Sequence, residues 1–173
     1  MPVYGRFTET DLADEMTVLD VNVRALTALT KQFVRPMVDR GEGAVLNTAS
    51  LASFYPLPTK AVYAATKSYV LSFSRSLAHD LSDEGVTVSA VCPGPVETEY
   101  AERGGVEDSE TMSGSTNDAE SVAEAGWQGL KDGERIIFPS TLAAYGGQLV
   151  RLLPRRRATV IGEETIEEGA SWL

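Results

Sequence analysis

A chain of 173 residues, 43% apolar and 23% charged, has room for one domain with a substantial core or for a large piece of a bigger one. Its net charge of −10 argues against nucleic acid as a partner, because a phosphate backbone is bound by an excess of Lys and Arg. A single cysteine, Cys92, excludes an internal disulfide and a cysteine-ligated metal cluster, so no metal site is expected. No run approaches the roughly 18 apolar residues of a membrane span, and residues 1–7 lack the basic and apolar regions of a signal peptide, so the expected location is the cytoplasm.

In chain order, Thr8-Glu9-Thr10-Asp11 reads as a helix start, with capping hydroxyls followed by early acids. Leu12, Met16, Leu19, Val23, Leu26, Leu29 (or Thr30) and Phe33 then recur at three and four residues, which predicts one amphipathic helix to about Val38. Pro36 and Gly41-Glu42-Gly43 end it. The apolar run 44–49 has strand length, and a loop with Pro56 and Pro58 follows. A second long helix is predicted over 61–82, stopped by Asp83-Glu84-Gly85. The β-branched run 86–91 reads as a buried strand, closed by Cys92-Pro93-Gly94-Pro95. Residues 99–118 are polar and aperiodic, a loop; helix is predicted again from Ala119 to Lys131, strand over 135–138 and helix over 141–153. The alternation of helix and strand predicts an α/β domain with a parallel sheet.

The strongest local signal for chemistry is Tyr63-Ala64-Ala65-Thr66-Lys67. Residues four apart share a helix face. A free phenol, with a pKa of about 10, is a poor base at neutral pH, and a neighbouring ammonium favours its ionised form. With six tyrosines and four lysines, a Tyr-x-x-x-Lys occurs by chance in roughly one such chain in seven, so the pair means little alone. Ser50, however, follows directly after the strand at 44–49, where side chains leave the carboxyl edge of the sheet and ligands bind open α/β sheets. Pro93-Gly94-Pro95-Val96-Glu97-Thr98 follows the next strand at the same edge. Asn22, inside the first helix, is either a surface amide or a kink site whose carbonyl binds water. His79, the only histidine, suits a surface position near a helix end, and Cys92 suits a buried structural thiol. A Ser–His–Asp hydrolase is disfavoured because Ser50 is not in a Gly-x-Ser-x-Gly elbow.

Asn22, Ser50, Tyr63 and Lys67 at these spacings, with Asp20-Val21-Asn22-Val23, the segment 43–50 and the segment 93–98, resemble the short-chain dehydrogenase/reductase family over about residues 1–140. The resemblance implies a Rossmann-type doubly wound parallel sheet and hydride transfer between NAD or NADP and a small carbonyl or secondary-alcohol substrate. It implies Tyr63 as general acid/base, Lys67 as the group that lowers its pKa and binds the nicotinamide ribose, and Ser50 as the donor that polarises the carbonyl. Asn22 would hold a water linking Lys67 to solvent. Pro93, Gly94, Val96 and Thr98 would line the nicotinamide. The family begins with a strand, a glycine-rich turn and a helix that seat the pyrophosphate. Residues 1–40 hold one glycine, Gly5, and no such motif.

Relative to that pattern roughly 80–90 residues are absent, about the first βα units. Residues 1–157 are therefore expected to be the catalytic half of the domain, with 158–173 a polar, acidic tail. A displaced start or a shortened piece of an ordinary enzyme is the favoured explanation. Under either explanation the isolated chain is expected to bind the cofactor poorly. The rival function is a truncated, catalytically inactive fragment acting only as an oligomerisation or interaction module. In the family the helices at 11–38 and 61–82 pair with their copies, so a homodimer or homotetramer is expected.

Overall fold

The computed structural model describes residues 3–94, 96–97, 117–140 and 159–160. Helix α1 (Leu12–Leu19) starts at Asp11, whose side chain accepts from the Ala13 N–H. A π-helical segment, Asp20–Ala25, separates it from α2 (Leu26–Arg40), which ends on Gly41 in the left-handed conformation. Strand β1 (Gly43–Thr48), a 3₁₀ turn at Leu51–Ser53, α3 (Ala61–Asp80) and β2 (Val86–Val91) follow. Beyond them lie β3 (Val96–Glu97), β4 (Asn117–Asp118), α4 (Ala119–Lys131) and β5 (Ile136–Ile137).

The expected parallel sheet is present, in the order β1-β2-β5, with Gly43 opposite Val86 and Ala90 opposite Ile136. Alternation along the strands divides the layers. Val86, Val88 and Val45 pack with Ala78 and Leu77 of α3 and Met37 and Val38 of α2. Leu46 and Val91 point the other way, to the place where Gly126 lets α4 approach. Helices on both faces account for the nearly unbroken burial of β2. A second core cluster of Ala49, Val70, Leu71, Ala90 and Cys92 lies at the carboxyl end of the sheet, directly beneath the candidate site.

Three predicted features differ. The single helix over 11–38 is split by the π-helical segment, and its apolar stripe faces the core only in part: Leu19, Val23 and Leu26 are half-buried, and Leu26 packs against the core cluster. Leu12, Met16, Leu29 and Phe33 are exposed, whereas Val18, Thr30 and Val34 are buried. A residue added to one turn rotates everything after it by about 100°, which shifts the buried face of α2 onto Thr30 and Val34; Leu12 and Met16, ahead of the segment, are exposed independently of it. The polar loop over 99–118 ends in a strand: Asn117–Asp118 pairs in parallel with Val96–Glu97. The strand at 135–138 contracts to Ile136–Ile137. The helix over 141–153, the rest of the loop over 99–118 and nearly all of the tail 158–173 lie outside the described residues.

Candidate active site

The carboxyl ends of β1 and β2 carry the site. The ladder continues past the strands, with Ala49 N–H donating to the Val91 carbonyl (2.8 Å) and Leu51 N–H to Pro93 (2.9 Å). These bonds fix Ser50 in extended backbone, φ −171°, where its hydroxyl accepts from the Ala52 N–H at 3.1 Å and caps the 3₁₀ turn. Helix α3 starts eleven residues later and brings Tyr63 and Lys67 to the same edge. Its register is held from both sides. The Ser53 hydroxyl donates to the Lys67 carbonyl (2.8 Å), the Ser68 hydroxyl to the Ser53 carbonyl (3.1 Å), and buried Asn47 of β1 donates to Ser74 (2.9 Å).

Lys67 Nζ donates to the Thr48 carbonyl at 2.9 Å and stands 5.8 Å from the centre of the Tyr63 ring. The ammonium carries three donors, and among the described residues two of them have no acceptor. Burial lowers the Lys67 pKa, with neighbouring Cys92 acting in the opposite direction. Burial raises the Tyr63 pKa, and a side-chain hydrogen bond from Ser50 partly offsets this. The net direction is opposite to the one the family resemblance implies. Half-burial penalises a phenolate, and the lysine charge that should stabilise it is held on a backbone carbonyl instead.

Asn22 lies in the π-helical segment, a geometry that recurs at functional sites because it interrupts the hydrogen-bond ladder. Its Nδ2 donates to the Thr66 hydroxyl at 3.0 Å, and that hydroxyl donates to the Tyr63 carbonyl at 2.7 Å. Asn22 therefore reaches the Tyr63–Lys67 helix through Thr66, a residue the sequence reading passed over although it stands inside the Tyr-x-x-x-Lys run. Pro93 is buried beside Leu51, and Gly94 and Val96 are half-buried. A methyl group on Gly94 would meet Leu51 Cδ1 at 3.4 Å, an ordinary contact, so nothing within the described chain demands glycine there. Thr98 lies outside the described residues.

Cys92 is fully buried beneath the site, next to Ser50 and Lys67. Burial pushes its thiol up to about 12, against the opposing influence of the Ser50 backbone and the Lys67 charge. The sequence marks the residue as buried but carries no sign that it neighbours the catalytic candidates. His79 is exposed in the last turn of α3, remote from this edge. Among the described residues no cluster of three His, Cys, Asp or Glu could hold a metal ion, and no helix is long and apolar enough to cross a membrane.

Comparison with known proteins bears on this geometry. A "Sulfoacetaldehyde reductase" of Chromohalobacter salexigens is 40% identical over 92 residues, 53% of this chain and 36% of that protein. An "Uncharacterized oxidoreductase" of Thermotoga maritima is 38% identical over 96 residues, 56% of this chain and 38% of that protein. A solved short-chain dehydrogenase from Sphingobium yanoikuyae, in complex with NADPH, superposes with a TM-score of 0.74 at 29% identity, over 82% of this chain and 54% of that one. The chain thus spans well under half the length of these two curated relatives and about half of the solved structure. The sequence profile described as "short chain dehydrogenase" matches residues 2–107, more than half of the chain and the stretch that contains Asn22, Ser50, Tyr63 and Lys67. The chain belongs to the short chain dehydrogenase family.

Proposed function

We propose that this chain is the catalytic half of an oxidoreductase that uses NAD or NADP to interconvert a carbonyl and a secondary alcohol, with Tyr63 as the general acid/base. The observation that carries the reading is the convergence of Ser50, Tyr63 and Lys67 on the carboxyl edge of a parallel sheet, where α/β folds bind ligands. Two unsatisfied Lys67 donors beside a half-buried phenol fit the hydroxyls of a nicotinamide ribose. The Sphingobium structure, itself bound to NADPH, adds support for a nicotinamide cofactor. Lys67 and Tyr63 would hold the ribose, and Pro93, Gly94, Val96 and Thr98 would border the nicotinamide ring. When bound, the cofactor supplies or accepts the hydride.

In the direction of reduction, the hydroxyls of Ser50 and Tyr63 both donate to the substrate oxygen and draw electron density from the carbonyl carbon. As the hydride reaches that carbon, the Tyr63 proton passes to the oxygen, leaving an alcohol and a phenolate. Because burial raises the Tyr63 pKa, the phenol stays protonated but is a weaker acid than a free phenol, so its anion needs support. With the single Ser50 proton given to the substrate oxygen, that support would come from the charge of the Lys67 ammonium, which stays anchored on the Thr48 carbonyl 5.8 Å from the ring centre. A water held in the π-helical segment at Asn22 would return the proton by way of Lys67. Oxidation runs the same steps backwards.

The exposed apolar side of α2 and α3 favours a compatible second role, self-association as a homodimer or homotetramer. Leu29 and Phe33 of α2 are exposed, and on α3 the half-exposed Tyr69 is tied to Thr27 by a 2.8 Å hydrogen bond and stacked on Phe73 at 5.8 Å. The catalytic reading is tested by carbonyl-dependent oxidation of NADH and NADPH across a panel of ketones and aldehydes. Tyr63→Phe is expected to lower kcat/KM at least about 100-fold while leaving oligomeric state unchanged. Turnover retained in that variant contradicts the role assigned to Tyr63.

A further inference from the structure

Just ahead of α3, a second lysine and a second tyrosine meet beside Tyr63. Lys60 Nζ lies 4.1 Å from the centre of the Tyr4 ring. Burial raises the Tyr4 pKa, and the neighbouring Tyr63 raises it further, so the two phenols share one environment. Lys60 is the residue just before α3, outside the helical geometry, and the Tyr4 ring that it touches neighbours Tyr63, so Lys60 and Lys67 flank the Tyr63 region from two sides. The arrangement is held under strain. Thr59 has φ +61°, the only described non-glycine residue with positive φ, and a β-branched side chain makes that conformation costly. Its carbonyl accepts from the Gly5 N–H at 3.1 Å, which pins the segment carrying Tyr4 against the start of α3. Strain of this kind persists where the surroundings over-determine it, and it collects at ligand clamps.

The Lys60 ammonium is half-buried, and burial lowers its pKa. Among the described residues it has neither a carboxylate partner nor a hydrogen-bond acceptor, and it rests on the Tyr4 ring face. A lysine that served only to clamp the chain could lay its stem on the ring and leave its charge in water. An ammonium taken partly out of water with three donors unspent is instead short of an anion. With Lys67 on the other side of Tyr63, it makes a local positive field in a chain whose net charge is −10.

We propose that Lys60, positioned by Tyr4, selects substrates that carry a carboxylate or comparable anion close to the reacting carbonyl, making the substrate class an oxo acid or the corresponding hydroxy acid. The inference rests on the oxidoreductase reading of the same site. Tyr63 then takes the carbonyl oxygen and Lys60, just before α3, takes the anionic end. The ammonium also sets the orientation of the substrate, since only one end can reach each group.

Ligand-observed NMR tests this without relying on turnover. Pyruvate, acetoacetate and levulinate, each against its methyl ester, are titrated into the full chain, Lys60→Gln and Lys60→Arg. At least one acid is expected to bind tenfold or more tightly than its ester; Lys60→Gln erases that ratio and Lys60→Arg preserves most of it. Circular dichroism of both variants establishes that α3 is intact. Equal binding of acid and ester, no binding of either to 20–50 mM (about the weakest range NMR resolves), or a ratio unchanged in Lys60→Gln overturns the proposal. Turnover separates the two readings. Acid selectivity through Lys60 without nicotinamide oxidation leaves the anion site standing and removes the catalytic role. Turnover of acids and esters alike, indifferent to Lys60, does the reverse.

Discussion

At the scale of single residues, the site keeps the Tyr63 phenol protonated. Burial raises the Tyr63 pKa above its ordinary value of 10.0, opposed by Ser50. The difference in absorbance near 295 nm between the chain and Tyr63→Phe should therefore titrate above pH 10. Ser50→Ala should move that midpoint higher still, because it removes the bond that favours the phenolate; a midpoint below 10 in the unliganded chain contradicts the electrostatics described. The linkage has a definite sign. A phenol with a raised folded pKa contributes stability that is intact below pH 10 and is lost as pH rises through the folded value. Cys92, with its thiol pushed up to about 12, should react with iodoacetamide at pH 8 only as fast as the chain unfolds. The identities of Ser50, Tyr63 and Lys67 were legible because their spacing fixes them to one edge and one face. Their electrostatics were not, since burial and the Lys67–Thr48 bond arise only when the sheet, the 3₁₀ turn and α3 meet.

Among the elements, turns and caps were readable and register was not. Gly85, read as the end of a helix, has φ +70°, and a methyl group there would overlap the Gly41 carbonyl. Two turns, one after α2 and one before β2, thus touch backbone to backbone. Gly85→Ala should cost on the order of 1–3 kcal/mol for the conformation and more for the overlap, measured as a lower urea midpoint with an unchanged m-value. Asn22→Ala removes the 3.0 Å tie from the π-helical segment to Thr66 and should cost about 0.5–1.5 kcal/mol in the same assay. Both strands of the β1–β2 pair and α4 stand within a residue or so of their predicted positions, because an apolar run of strand length and a β-branched run are local signals. The π-helical segment has no comparable local signal. Polar Asn22 marks its place, but the rotation of α2 that follows depends on packing against α3. A partly exposed stripe therefore looked, in the sequence, like an ordinary helix face.

For the whole molecule, that rotation decides how the chain meets its neighbours. A fold that buries Thr30 and Val34 while leaving Leu29 and Phe33 in water carries an apolar face on the outside of α2. Phe33→Glu should shift sedimentation toward the monomer without lowering helix content, and an unchanged sedimentation coefficient would exclude this face as the contact. The chain spans 36–54% of the relatives and of the solved structure compared, so the reaction is most directly tested on the chemistry itself. With reduced nicotinamide cofactor deuterated at C4 and supplied at millimolar concentration, the chain should deliver deuterium to the carbinol carbon of the product alcohol. Tyr63→Phe should reduce that transfer about 100-fold or more. Label delivered equally by both proteins contradicts the assignment of Ser50, Tyr63 and Lys67 as a hydride-transfer site.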